Sequence, residues 1–125
     1  MGMIRSRYEI ELREGVKVEM LFTLALFGIA KKRGISLDLE ADASADERIT
    51  YYVKMMYVAA ILAWEYRAID TPSIGDFLYT MMDFGEWSGN HPLQFAKMIK
   101  GASAAIAGVD IEDGDQDASD GEKKK

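Results

Sequence analysis

Polar and apolar residues alternate along Arg7 to Leu12 (RYEIEL), which places Tyr8, Ile10 and Leu12 on one face of a strand. Glu14-Gly15 follows as a turn, and Val16-Lys17-Val18 repeats the alternation, so the pattern predicts a β-hairpin. A hairpin this short must lean on a helix to be stable.

From about Glu19 the spacing predicts a helix, with Met20, Leu21, Phe22, Leu24, Leu26, Phe27 and Ile29 on nearly all sides and Gly28 open to close approach by another element. Its end is well marked. Lys31, Lys32 and Arg33 fill the last turn, where cations suit the negative end of the dipole, and Gly34 can take the left-handed cap. Residues 36–46 (SLDLEADASAD) are small and acidic and are expected to form a surface loop, pinned on one side by Leu37 and Leu39. Ser44 and Glu47 then fit a capping box opening a long helix to about Ile69, the spine of the fold.

Thr71-Pro72-Ser73 reads as the start of a further helix, in which Ile74, Phe77, Leu78, Met81 and Met82 recur at helical spacing. Gly85 to His91 (GEWSGNH) reads as a loop. Pro92 begins a last helix with Leu93, Phe95, Ala96, Ile99 and Ile106 as its apolar stripe. The expected fold is mainly α (α+β): a small N-terminal hairpin packed on a bundle of about four helices. One domain spans residues 1–108, followed by a disordered acidic tail over 109–125.

Composition narrows the function. The 125 residues are 49% hydrophobic and 29% charged, sufficient for one packed domain, and contain no cysteine, which removes disulfides, thiolate nucleophiles and sulfur-bound zinc. Residues 110–125 hold seven acids against three lysines, a local charge of −4 in a formal total of −6. With no basic surplus, nucleic acid is not an expected partner. Met1 to Arg7 has two arginines but no apolar run of signal-peptide length. The stretches Met20 to Ala30 and Val53 to Trp64 fall short of the ~20 residues of a membrane span, so a cytoplasmic protein is expected.

Candidate chemistry is sparse. His91 is the single histidine and lacks a second ligand or a nucleophile, so a loop or capping role is expected of it. Asp113, Asp115 and Asp117 alternate as in a calcium loop, but Ala118 and Lys124 replace the glycine and glutamate such a loop needs. Asp46, Asp70, Asp76 and Asp83 fall at helix ends, where capping accounts for them. No catalytic, metal or cofactor site is expected, and the chain is not expected to be an enzyme.

The long helix is the more informative element. Ile49, Val53, Met56, Ala60, Ala63 and Trp64 form one stripe, the core face; Tyr51, Met55, Val58, Ile61, Leu62 and Tyr66 form a second, opposite one. Two explanations fit. Either the helix is sandwiched between the first helix and the later ones, or part of the second stripe forms a groove for a partner helix. In the second case the partner-binding residues would be Tyr51, Met55, Val58, Leu62, Tyr66, Met81, Met82 and Trp87, the methionines repacking around apolar ligands.

In order, RYEIEL (Arg7 to Leu12), AKKRGISL (Ala30 to Leu37), YYVKMMYVAAILAWEY (Tyr51 to Tyr66) and TPSIGDFLYTMMD (Thr71 to Asp83) resemble the tail assembly chaperones of long-tailed, siphovirus-like bacteriophages. The likeness spans about residues 7–84 and is one of layout and hydrophobic pattern, without an invariant motif. It implies a protein that binds the helical tape-measure protein, keeps its apolar repeats from aggregating, and helps recruit tail-tube subunits. Such a protein works in the host cytoplasm and is not expected in the mature virion. The resemblance also implies that Lys123-Lys124-Lys125 could mark an adenine run for a −1 frameshift. The surplus apolar surface leaves room for a homo-oligomer. Competing expectations are a structural head-tail connector or tail completion protein, and a small regulatory module that binds a host protein.

Overall fold

The computed structural model describes residues 7–107. An antiparallel hairpin, β1 (Arg7–Arg13) and β2 (Val16–Leu21), is followed by four helices, α1 (Ala25–Lys32), α2 (Ala45–Asp70), α3 (Met81–Asn90) and α4 (Pro92–Ala107), with a 3₁₀ turn at Pro72–Ile74. The architecture is mainly helical α+β, as the pattern predicts. The acidic segment 109–125, with its calcium-like aspartates and terminal lysines, lies outside the described residues, as does the side chain of Ile106.

The hairpin register pairs Ile10 with Val18 and Tyr8 with Met20, so the period-2 apolar residues share one face and are packed against the helices. One extra residue is accommodated in β1 between Glu11 and Arg13, and Gly15 closes the turn at φ +78°, a conformation that favours glycine. The alternation does not stop at Val18. Lys17 and Glu19 point outward and Val18 and Met20 inward, so the strand runs to Leu21 and the helix expected from Glu19 begins only at Ala25. Phe22, fully buried just past the strand, fixes the chain's entry into the core.

The predicted stop of α1 is present in full. Ile35 N–H donates to Ala30 O at 2.8 Å and Gly34 N–H to Lys31 O at 3.2 Å, with Gly34 at φ +73°, which is a Schellman closure. Gly28 differs from expectation: it is exposed, and nothing lies within 4 Å of where a Cβ would stand. No described element approaches it closely.

Ser44 accepts from Glu47 N–H while the Glu47 carboxylate accepts from Ser44 N–H, the expected capping box, and α2 runs 26 residues from it. From Val53 to Ala63 nearly every apolar side chain of α2 is buried, because β2, α1 and α3 pack around it. The sandwiched arrangement is therefore the observed one. Each fully buried large side chain contributes about 1.5–3 kcal/mol of transfer free energy.

Two assignments in the second half are corrected. The helix read from Thr71 is a single 3₁₀ turn that Gly75 ends at φ +88°, and residues 75–80 form no regular element. Phe77 and Tyr79 turn toward the core and Leu78 outward, a period of two in place of the expected helical spacing. The helix proper starts at Met81 behind a second capping box, Thr80 with Asp83, and it runs through GEWSGNH as far as Asn90, so that segment is not a loop. Two helical glycines cost about 1 kcal/mol each. Burial of Phe84 and Trp87 one turn apart offsets that cost.

Ser88, the buried polar residue of α3, donates to Phe84 O at 2.8 Å. Its hydroxyl also meets Met56 Sδ at 3.4 Å, so α3 is seated on α2 with its buried hydroxyl satisfied. On α4 the buried positions are Met98, Gly101 and Ala102, with Phe95 half-buried, whereas Leu93 and Ala96 of the expected stripe are exposed.

Candidate interaction surface

The eight residues expected to meet a partner divide by environment. Met55, Val58, Leu62 and Trp87 are buried in the chain's own core, so the middle of the second stripe of α2 is not a surface in this fold. The physical reason is crowding on all sides of α2: helix α1 covers one flank and α3 another, and both bring their own apolar residues. Tyr51 and Met81 are half-buried and packed against that core. Tyr66 (50% exposed) and Met82 (74% exposed) remain open to solvent.

Tyr51 stands edge-on to Tyr52, with ring centroids 5.3 Å apart. Its hydroxyl pKa is pushed up by burial, and further by neighbouring Tyr52 and Asp38. Trp87 stacks on His91 at 4.9 Å, and His91 Nδ1 lies 2.9 Å from Trp87 O, one turn back along the chain. The histidine thus closes the end of α3. Met81 and Met82 form the first turn of that helix, with the Thr80–Asp83 box turning one inward and the other out.

Sequence reasoning missed five exposed apolar side chains besides these, among them Ile49, which was expected on the core face of α2. Ile69 (73% exposed) stands one turn beyond Tyr66 on the same face of α2, and the i, i+3 spacing was the available signal. Leu78 (76% exposed) is concealed in the sequence by the helical spacing that runs through 75–80. Leu93 (85% exposed) falls on the apolar stripe expected of α4, yet no described element covers it. Ile49 and Leu24 are also exposed. Tyr66, Ile69, Leu78 and Met82 all fall between positions 66 and 82, from the end of α2 to the start of α3.

Charged groups frame this region. Glu19 on β2 accepts from Arg7 and, at 3.1 Å, from Arg67 Nε near the end of α2. Burial raises the Glu19 pKa, but the two guanidinium hydrogen bonds and their charges outweigh it and hold the carboxyl below its ordinary value. Asp83 is also held low, chiefly by the Thr80 N–H donating at 2.8 Å, with burial opposing and Arg13 assisting. Between β2, the face of α2 at Ala60 and Trp64, and the segment Ile74 to Tyr79 lies an open cleft of about 360 Å³.

No family model, curated protein or solved structure matches the chain.

The surface must therefore be read from its own chemistry. Among the described residues, no group of three or more histidine, aspartate or glutamate side chains could hold a metal ion, and no helix is long and apolar enough to cross a membrane. One open cleft is the Glu11–Arg13–Asp83 corner beside His91, lined by charges of both signs. What the arrangement can do is offer apolar contact bordered by carboxylates and guanidinium groups, the composition of a protein-docking surface.

Proposed function

We propose that this chain is a tail assembly chaperone of a long-tailed bacteriophage, binding the tape-measure protein in the host cytoplasm and helping to recruit tail-tube subunits to it. The observation that carries this reading is a chain that closes its own core around α2 and still leaves Tyr66, Ile69, Leu78 and Met82 half or more exposed in one stretch. A tape-measure protein is long, helical and apolar until the tube covers it. Its cytoplasmic binder needs apolar contact of modest affinity that tube subunits can displace. Exposed methionine and leucine side chains adapt to varied apolar partners. The layout of RYEIEL, the AKKRGISL helix end and the long apolar helix supports the same reading by resemblance.

The binding surface proposed is not the outer stripe of α2 but the C-terminal end of that helix, the segment 75–80 and the first turn of α3. Co-expression with the tape-measure protein encoded by the same genome tests it. The wild-type chain co-purifies, whereas a Tyr66→Asp, Ile69→Asp, Met82→Asp variant keeps its helical circular dichroism and does not. Failure of the wild-type chain to bind, or its presence at subunit stoichiometry in purified virions, overturns the proposal.

A further inference from the structure

The open cleft between β2, the face of α2 from Ala60 to Arg67 and the segment Ile74 to Tyr79 gathers three aromatic rings and several charges. Trp64, Phe77 and Tyr79 all line it, and each is only half-buried. Phe77 stands edge-on to Trp64 at 67° and to Tyr79 at 86°, with centroids 6.1 and 5.3 Å away. The Trp64 indole N–H is already engaged, donating to Gly75 O at 3.2 Å. That bond fixes the ring and leaves its π surface, rather than its donor, to meet a ligand. An aromatic face carries partial negative charge and attracts cations.

The charges point the same way. Five ionisable side chains line the cleft: Glu9, Lys17, Glu19, Arg67 and Asp76. Glu19 is committed to Arg7 and Arg67. Lys17 stands opposite Glu11 in the hairpin register, which offsets its charge. Glu9 and Asp76 are exposed, and neither carboxylate makes a hydrogen bond or ion pair with a described residue. The register also sets Glu9 directly opposite Glu19, a like-charge cross-strand pair that costs stability. Two guanidinium groups answer Glu19, whereas no cation answers Glu9.

We infer that this cleft takes the guanidinium group of an arginine side chain from a bound polypeptide, its plane against the aromatic rings and its charge answered by Glu9 and Asp76. Arginine suits the site better than lysine, because a planar, weakly hydrated guanidinium stacks on a ring while its edge donates to carboxylates. At about 360 Å³ the cleft lies at the small end of ligand sites and matches a single side chain. The inference rests on the docking reading above for the source of that side chain. It adds that the partner covering Leu78 and Met82 carries an arginine beside its apolar contact.

The probe is Nα-acetyl-arginine amide, and its control is Nα-acetyl-citrulline amide, which has nearly the same shape without the charge. The chain has two tryptophans, and Trp87 is buried in the core, so their indole N–H resonances separate the cleft from the rest of the protein. The arginine derivative should shift the Trp64 signal at roughly millimolar concentration and leave that of Trp87 in place. The citrulline derivative should bind about tenfold more weakly. Combining Glu9→Gln with Asp76→Asn should weaken the arginine response about tenfold, with circular dichroism unchanged because both side chains are exposed. Three results would each overturn the inference: a Trp64 signal that does not move, equal responses to the two derivatives, or an arginine response untouched in the double variant. An arginine response in a chain that fails to bind the tape-measure protein would sink the chaperone reading and leave the cleft standing. Tape-measure binding without an arginine response would do the reverse.

Discussion

Arg67 Nε lies 3.1 Å from Glu19 Oε1, joining the last turn of α2 to the strand β2 across 48 positions of sequence. Arg7 bonds the other carboxylate oxygen, so one acid holds β1, β2 and α2 together. The carboxylate is mostly shielded, at 19% side-chain exposure, while both guanidinium groups are more than half exposed. Solvent screening therefore limits each pair to about 0–1 kcal/mol.

This acid makes stability depend on pH. The folded-state pKa of Glu19 lies below the unfolded value of 4.5, so the folded state favours the charged form. Its contribution is complete above pH 4.5 and is lost as pH falls through the lower folded-state pKa. Urea unfolding should show Glu19→Gln about 1 kcal/mol less stable than the parent at neutral pH. That gap should close in acid, below the folded-state pKa. A gap that persisted unchanged into strong acid would mean that the carboxylate is not the source.

Asp83 acts at a helix start. Its carboxylate accepts from Thr80 N–H at 2.8 Å and from Arg13 at 3.1 Å, so it caps α3 and ties it to the hairpin. Asp83→Ala or Thr80→Ala should each cost about 0.5–2 kcal/mol, with amide exchange accelerated first in Met81–Phe84. The Asp83 share is also lost in acid, since its pKa is depressed on folding.

The two capping boxes show how far local sequence could be read. Ser44 with Glu47 was legible because a clear apolar helix follows it. Thr80 with Asp83 has the same chemistry but was masked by Thr71-Pro72-Ser73, a plausible start nearly ten residues earlier. Helical spacing through Ile74, Phe77, Leu78 and Met81 coincides over a short window with an irregular segment that half-buries Phe77 and Tyr79, and Gly75 alone separated the two. The apolar character of α2 on both sides was plain from composition. Which side stays wet depends on where α1 and α3 dock, a long-range property that no local spacing encodes. Hence the exposure of Leu78 was not legible, nor which of the two arrangements of the second stripe holds for Met55, Val58 and Leu62.

Gly75 and Gly28 should respond to alanine with opposite signs. Neither would bring a new Cβ within 4 Å of another atom, so packing contributes little in either case. Gly75 sits at φ +88°, ψ −173°, a region essentially reserved for glycine. Gly75→Ala should cost about 1–3 kcal/mol from backbone strain alone. Gly28 lies within α1 without a positive φ, so Gly28→Ala should stabilise by about 0.4–1 kcal/mol through the unfolded chain's lost entropy. Thermal melts of the two variants shifting in the same direction would contradict this account.

Two methionines of the expected partner surface separate core from surface most sharply. Met55 is 3% exposed and belongs to the core on α2, whereas Met82 is 74% exposed in the first turn of α3. A carboxylate at position 55 would be buried without a partner, a desolvation cost that exceeds about 4 kcal/mol and rivals the whole stability of a small domain. Met55→Asp should therefore be unfolded or insoluble at neutral pH. Met82→Asp exposes no new apolar surface and places an acid in the first turn of a helix, where the dipole favours it, so its stability should stay within about 0.5 kcal/mol of the parent. Loss of tape-measure binding in Met82→Asp with an unchanged melting temperature then reports on the surface itself. The same loss in Met55→Asp would report only on the fold. Equal tolerance at both positions would mean that α2 is not enclosed as described.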